Sequence, residues 1–159
     1  MNQTNIRAPK LLSYKNINLV VLDSNFILVP FQFKIDYLNE IYLKMEGKTR
    51  FYIFKQCLNE LEAKMKRESI FSKFRRQYKA GMKYLEINEK VYPLYFVDEV
   101  KEKDETTDDF LLRWCLEFKN DFRRVYMATN DAELRRRAKN SKINVIFVRK
   151  GKYLFIERS

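Results

Sequence analysis

The sequence predicts an α/β domain built around a mostly parallel sheet. Three observations carry this. Short apolar runs without internal polarity alternate with longer segments of helical spacing, which is how doubly covered parallel strands read. The chain has 159 residues, enough for one domain with a sizeable core. Its 46% apolar content, with 13 Phe and 10 Tyr, can fill that core.

The elements follow in order. Residues 1–16, "MNQTNIRAPKLLSYKN", have no periodicity and are expected as an irregular lead-in to a single domain over 17–159. "NLVVLD" (18–23) is a buried strand that closes on an acid. After Pro30, "QFKIDYLNEIYLKM" repeats Phe33, Tyr37, Leu38, Ile41 and Met45 at helical spacing, and Gly47 ends it. "RFYIF" (50–54) is the second strand, and "KQCLNELEAKMKRE" is a helix with Leu58, Leu61 and Met65 on one face.

Residues 69–89 form a further predicted helix. Phe71, Phe74, Tyr78, Met82 and Leu85 lie on one side, with Arg75, Arg76, Lys79 and Lys83 opposite. "YPLYFV" (92–97) is the third strand. A charged loop, "DEVKEKDE", leads to the helix "DDFLLRWCLEFKN", which Thr106 or Thr107 can cap. Strand "RVYMAT", helix "DAELRRRAKN" and strand "INVIFV" come next. The turn "RKGK" then leads to a last strand, "YLFIE".

Composition prunes the chemistry. There is no histidine, so Ser-His-Asp and Cys-His catalysis and His-ligated zinc are excluded. Cys57 and Cys115 lie in apolar segments without CxxC spacing and are expected as core thiols in a reducing compartment. No apolar run approaches the ~20 residues of a membrane span and no signal-peptide pattern opens the chain, so a cytoplasmic location is expected. The 32 Lys and Arg against 21 Asp and Glu leave a net charge of +11, which favours a polyanionic partner, nucleic acid first.

The acids fall where that fold would gather them. Ligands of open α/β sheets bind beyond the carboxyl ends of the strands. Asp23 closes the first strand, and Asp131 comes two residues after "VYMAT". Asp108 and Asp109 open the helix before it, and Glu60 is placed in about the first turn of the helix after the second strand. Singly, these acids suit helix N-termini, and Asp131 suits a cap. Together they point to a carboxylate cluster. Clustered carboxylates without histidine or thiolate suit hard cations, Mg²⁺ or Mn²⁺, which can direct water onto a phosphodiester.

These residues resemble the motifs of the PIN-domain ribonucleases over nearly all of 18–158. "VVLDSNFIL" resembles the family's opening strand with Asp23, and "CLNELEAKM" the second motif with Glu60. "TTDDFLLRWC" resembles the third, and "ATNDAELRRR" the fourth with Asp131. In the double-aspartate form the resemblance gives the role to Asp108, with Asp109 as a neighbour or second ligand. It implies a three-layer α/β/α fold with a central, mostly parallel sheet. It further implies one or two bound Mg²⁺ or Mn²⁺ ions, and hydrolysis of RNA to 5′-phosphate and 3′-hydroxyl ends.

The ending, "DAELRRRAKNSKINVIFVRKGKYLFIE", is similar to the rRNA-processing PIN proteins of the small-subunit processome and their archaeal relatives. It lacks the cysteine-rich zinc ribbon of the PIN endonuclease that matures the small-subunit rRNA 3′ end. VapC-type toxins are a more distant match, since they lack so long a basic helix as 69–89. The partners implied are rRNA or its precursor, with a homodimer, pre-ribosomal proteins or an antitoxin left open. The location is nucleolar if the source is eukaryotic. A catalytically degenerate RNA-binding scaffold is the alternative from another class. RNA contacts are expected from Arg75, Arg76, Lys79 and Lys83, from Arg135, Arg136 and Arg137 beside Asp131, and from Arg149, Lys150 and Lys152.

Overall fold

Six strands in the order β3-β2-β1-β4-β5-β6 form the sheet of a computed structural model that describes residues 13–159. The strands are β1 (Ile17–Leu22), β2 (Lys48–Phe54), β3 (Leu94–Val97), β4 (Arg124–Ala128), β5 (Asn144–Arg149) and β6 (Tyr153–Glu157). β1 to β5 pair in parallel, and β6 returns antiparallel to β5. The reversal runs through Lys150 (φ 54°) and Gly151 (φ 65°). The lead-in expected for residues 1–16 lies outside the described residues up to residue 12. Ser13–Asn16 form one 3₁₀ turn, and Tyr14 stacks on Phe122 with centroids 4.9 Å apart.

The side chains of β1, all buried, alternate between two faces and so divide the core into two layers. Val20 and Leu22 face the first layer, with α1 (Ser24–Ile27), α2 (Val29–Phe33), α3 (Tyr37–Lys44) and α5 (Lys73–Asn88). Leu19 and Val21 face the second, with α6 (Thr107–Phe118) and α7 (Ala132–Asn140). α4 (Lys55–Arg67) spans the two, with Leu61 in the first and Cys57 in the second. Both cysteines are buried free thiols. Trp114, Phe110 and Phe118 of α6 pack on Phe54, an aromatic cluster within the second layer. Gly81 lets α5 approach α1, since a Cβ there would stand 2.5 Å from the Ile27 carbonyl oxygen.

The fold class is the predicted one, but several boundaries differ. The helix expected after Pro30 is two helices, because Pro30 lies in the first turn of α2 instead of preceding one, and proline suits a first turn. Lys34, at φ 56°, then separates α2 from α3. The helix expected over 69–89 starts at Lys73, where the Ser72 hydroxyl caps the Arg75 amide at 3.1 Å. Phe71 therefore leaves the apolar stripe and is 80% exposed. β2 begins two residues earlier than expected, just after Gly47 turns the chain at φ 85°. β3 begins only at Leu94, because Pro93 has no N–H to give a ladder. No helix among the described residues is long and apolar enough to cross a membrane.

Candidate active site

β1 and β4 are neighbours, yet the chain leaves them toward opposite edges of the sheet: from β1 to β2, and from β4 to β5. This is the switch point of a doubly wound sheet, where a crevice opens beyond the strand ends. Asp23 follows β1 directly and is 5% exposed. Its backbone amide donates to the Ala128 carbonyl at 3.0 Å, continuing the β1–β4 ladder by one residue. It also caps α1, accepting from the Ser24 amide at 2.7 Å.

The other oxygen of Asp23 accepts from the Thr129 hydroxyl at 2.6 Å and from the Asn25 amide at 2.9 Å. Thr129, fully buried, accepts in turn from the Asp131 backbone amide at 3.1 Å. Asn25 accepts from the Asn130 amide at 3.0 Å, and the Asn130 side chain accepts from the Val148 amide at 2.9 Å. One polar network therefore locks the carboxyl ends of β1, β4 and β5 together. Thr129, Asn25 and Asn130 were not among the expected site residues. Their signal is positional, since "SN" and "TN" adjoin the two aspartates at the strand ends.

Asp131 caps α7, accepting from the Leu134 amide at 3.0 Å, and is exposed. Asp108 sits half-buried in the first turn of α6, which the Thr106 hydroxyl caps through the Asp109 amide. Glu60 lies in the second turn of α4, not about the first, because that helix starts at Lys55. It is exposed and accepts from the Thr107 hydroxyl. Asp109 turns aside to pair with Arg137.

Electrostatics tie the carboxylates together. Burial pushes the Asp23 carboxyl above its usual range despite the Thr129 and Ser24 hydrogen bonds, and the charges of Asp108 and Asp131 push it further. Asp108 is raised by burial and then by Asp131, with Arg137 opposing. Asp109 is lowered, chiefly by its hydrogen bond from Arg137. Burial, then Asp23 and Glu60, keeps Cys57 beneath them a neutral thiol, unsuited as a ligand.

Among the described residues, no three acid or thiol groups stand close enough together to hold a metal ion unaided. The donor chemistry nonetheless fits a hard cation: all oxygen, and two carboxyls raised by burial and by like charge. Mg²⁺ binds through one or two carboxylates while keeping waters and substrate phosphates, so an open set suits it.

The expected phosphate contacts are largely engaged within the protein. Arg135 donates to the Asn130 carbonyl at 3.1 Å and lies 4.1 Å over Phe147. Arg136 pairs with Glu133, and Arg137 with Asp109. Arg75 donates to the Met65 carbonyl at 3.0 Å and Arg76 to the Phe71 carbonyl at 2.9 Å. Lys83 lies 3.9 Å from Glu86, and Lys79 is exposed. Arg149 lies 4.9 Å over Phe155, while Lys150 and Lys152 are exposed on the β5–β6 turn.

Comparison with known proteins agrees with this architecture. The model of the PIN like domain family matches residues 20–151. No curated protein matches the sequence. Among solved structures, that of the PIN domain endonuclease Utp24 superposes with a TM-score of 0.64. The match has 23% sequence identity and covers 89% of this chain and 92% of that chain.

Proposed function

The chain belongs to the PIN-like domain family, and from that membership we propose that it is a Mg²⁺- or Mn²⁺-dependent endoribonuclease. One observation carries the reading: at the switch-point crevice the Thr129 hydroxyl donates to the Asp23 carboxylate and accepts from the Asp131 backbone amide, holding two aspartates at neighbouring strand ends. A carboxylate as buried as Asp23 is costly without a cation beside it. Asp23, Asp108 and Asp131 would hold the ion, with Glu60 at the flank. Bound there, it would supply Lewis acidity and an activated water for attack on a phosphodiester.

The chain's own groups do the rest. Thr129 and Asn25 fix the Asp23 oxygens, leaving that side chain little freedom. Asp109 holds Arg137 beside the cluster, where the guanidinium would offer its remaining donors to an incoming phosphate. Pre-ribosomal RNA is the substrate we favour, supported by the ending's similarity to rRNA-processing PIN proteins and by the likeness to Utp24. The test is cleavage of a structured RNA in Mn²⁺, yielding 5′-phosphate ends. Asp23→Asn should abolish it, and an active Asp23→Asn chain would sink the proposal.

The open carboxylate set favours one second reading, a degenerate RNA-binding scaffold. Calorimetry separates the two, since a scaffold takes up no Mn²⁺ at millimolar concentration. A toxin would instead arrest growth on expression, with rescue by a co-encoded partner.

A further inference from the structure

The opposite pole of the sheet carries the reverse charge. At the amino ends of β4 and β5 lies a cavity of about 360 Å³. Lys119, Arg123, Arg124, Lys142 and Arg158 line it together with Asn144 and Ser159, and no Asp or Glu side chain does. Its floor includes buried Phe122 and Val125, so the charges stand against a low-dielectric wall that focuses their field.

The side chains are positioned as well as gathered. The Lys119 ammonium donates to the Lys142 carbonyl at 3.0 Å, and the Arg158 guanidinium to the Tyr126 hydroxyl at 3.3 Å. Arg123 lies 3.8 Å from exposed Glu46. The segment before Ser13, "MNQTNIRAPKLL", contains no acid that could compensate. Five cations gathered around one concavity repel one another unless an anion enters. Arginine forks match phosphate oxygens two at a time, and a walled cavity suits a phosphate group better than a flat lipid surface.

We propose that this cavity is a second phosphate-binding site, for backbone phosphates of an RNA segment that does not enter the carboxylate crevice. The inference rests on the reading of RNA as substrate. The five residues of β4 separate the two poles by about 17 Å at a strand's rise of ~3.3 Å per residue. A helically stacked strand advances ~3.4 Å per phosphate, so about five stacked nucleotides cover that span only if laid straight through the protein. An RNA of five nucleotides therefore reaches one pole, whereas one of thirty can pass around the surface to both.

The experiment compares the wild-type chain with the triple variant Arg124→Ala, Lys142→Ala, Arg158→Ala. A charge-matched control, Lys66→Ala, Lys90→Ala, Lys103→Ala, lies elsewhere on the surface. All six side chains belong to exposed residues, and thermal melts check the fold. Affinity for a thirty-nucleotide RNA is measured from 50 to 200 mM KCl. The slope of log K against log salt should flatten by about 0.7 per lost phosphate contact, roughly 2 if each cation holds one. The control should keep the wild-type slope, and cleavage of the five-nucleotide RNA should be unchanged in the triple variant. An unchanged slope, or an equal flattening in the control, overturns the site even if cleavage is robust. Absence of cleavage in every chain together with a flattened slope would support this site and refute the nuclease reading.

Discussion

The two ends of one parallel sheet behave as opposites. Beyond the carboxyl ends of β1 and β4, acids are drawn in and tied down: Asp23 is 5% exposed and accepts from Ser24, Thr129 and Asn25. At the amino ends of β4 and β5, cations stand around a cavity with few hydrogen bonds among themselves. A net charge of +11 alone suggests a uniformly basic surface. Its distribution teaches more, because the acidic pole is invisible in the sum. The proposed cleavage requires that precision at the carboxylate pole, whereas the proposed phosphate site at the basic pole requires only generic attraction.

The largest effect should come from separating the two duties of Asp131. Asparagine caps helices as well as aspartate does, so Asp131→Asn should leave the melting temperature within about 1 °C. It should lower Mn²⁺-dependent cleavage by at least ~10²–10³-fold. Asp131→Ala should show the same loss of cleavage and also cost about 1 kcal/mol of stability. If Asp131→Asn cleaves normally, Asp131 is a cap alone and the contrast between the poles loses its catalytic meaning.

Next in size, Thr129→Val should reduce cleavage by ~10–100-fold through loss of the hydroxyl that fixes Asp23, while Thr129→Ser restores most of it. Equal kinetics for the Val and Ser variants would refute a positioning role for the hydroxyl.

A smaller effect concerns the loop that delivers α6. Arg113 grips Glu105 with two hydrogen bonds of 2.7 and 2.8 Å, and this holds the Glu105 carboxyl down to about 2, against an ordinary 4.5. A lowered carboxylate adds stability above its unfolded pKa and loses it as pH falls through the folded value. The melting-temperature gap between wild type and Glu105→Gln should be open at pH 7 and close between pH 4.5 and about 2. A gap independent of pH would show that charge plays no part in the latch.

The smallest effect has the opposite sign. Asp108 is raised, so its charged form opposes folding: the benefit of its neutral form is complete below its ordinary pKa of 3.8 and is lost as pH rises. In the metal-free protein, Asp108→Asn should equal wild type near pH 3.5 and exceed it by about 1 °C at pH 7, since the side chain is partly solvated. A lower melting temperature for the variant at pH 7 would show that the carboxylate is satisfied without a cation.

Much of this was legible from the residues. Asp23 and Asp131 could be placed because each sits against an unbroken apolar run, and such a run in a parallel sheet has only one end open to a crevice. The burial of β1 needed no structure, nor did the core roles of Cys57 and Cys115, both buried. Boundaries were less legible where one residue serves either side of a break. Pro30 starts a helix as readily as it precedes one, and Ser72 caps only once the chain has turned.

What the sequence by itself determined is the alternation of strands and helices and the attachment of Asp23, Asp108 and Asp131 to particular strand and helix ends, since hydrophobic period and capping chemistry act over a few residues. What only the tertiary structure decided is pairing across distance. It drew Arg137 onto Asp109, set Thr129 between Asp23 and Asp131, and gathered Arg124, Lys142 and Arg158 around one cavity. Those residues are separated along the chain, and only the strand order β3-β2-β1-β4-β5-β6 brings them together. Local rules read neighbours along the chain, whereas charge and hydrogen bonding act between neighbours in space.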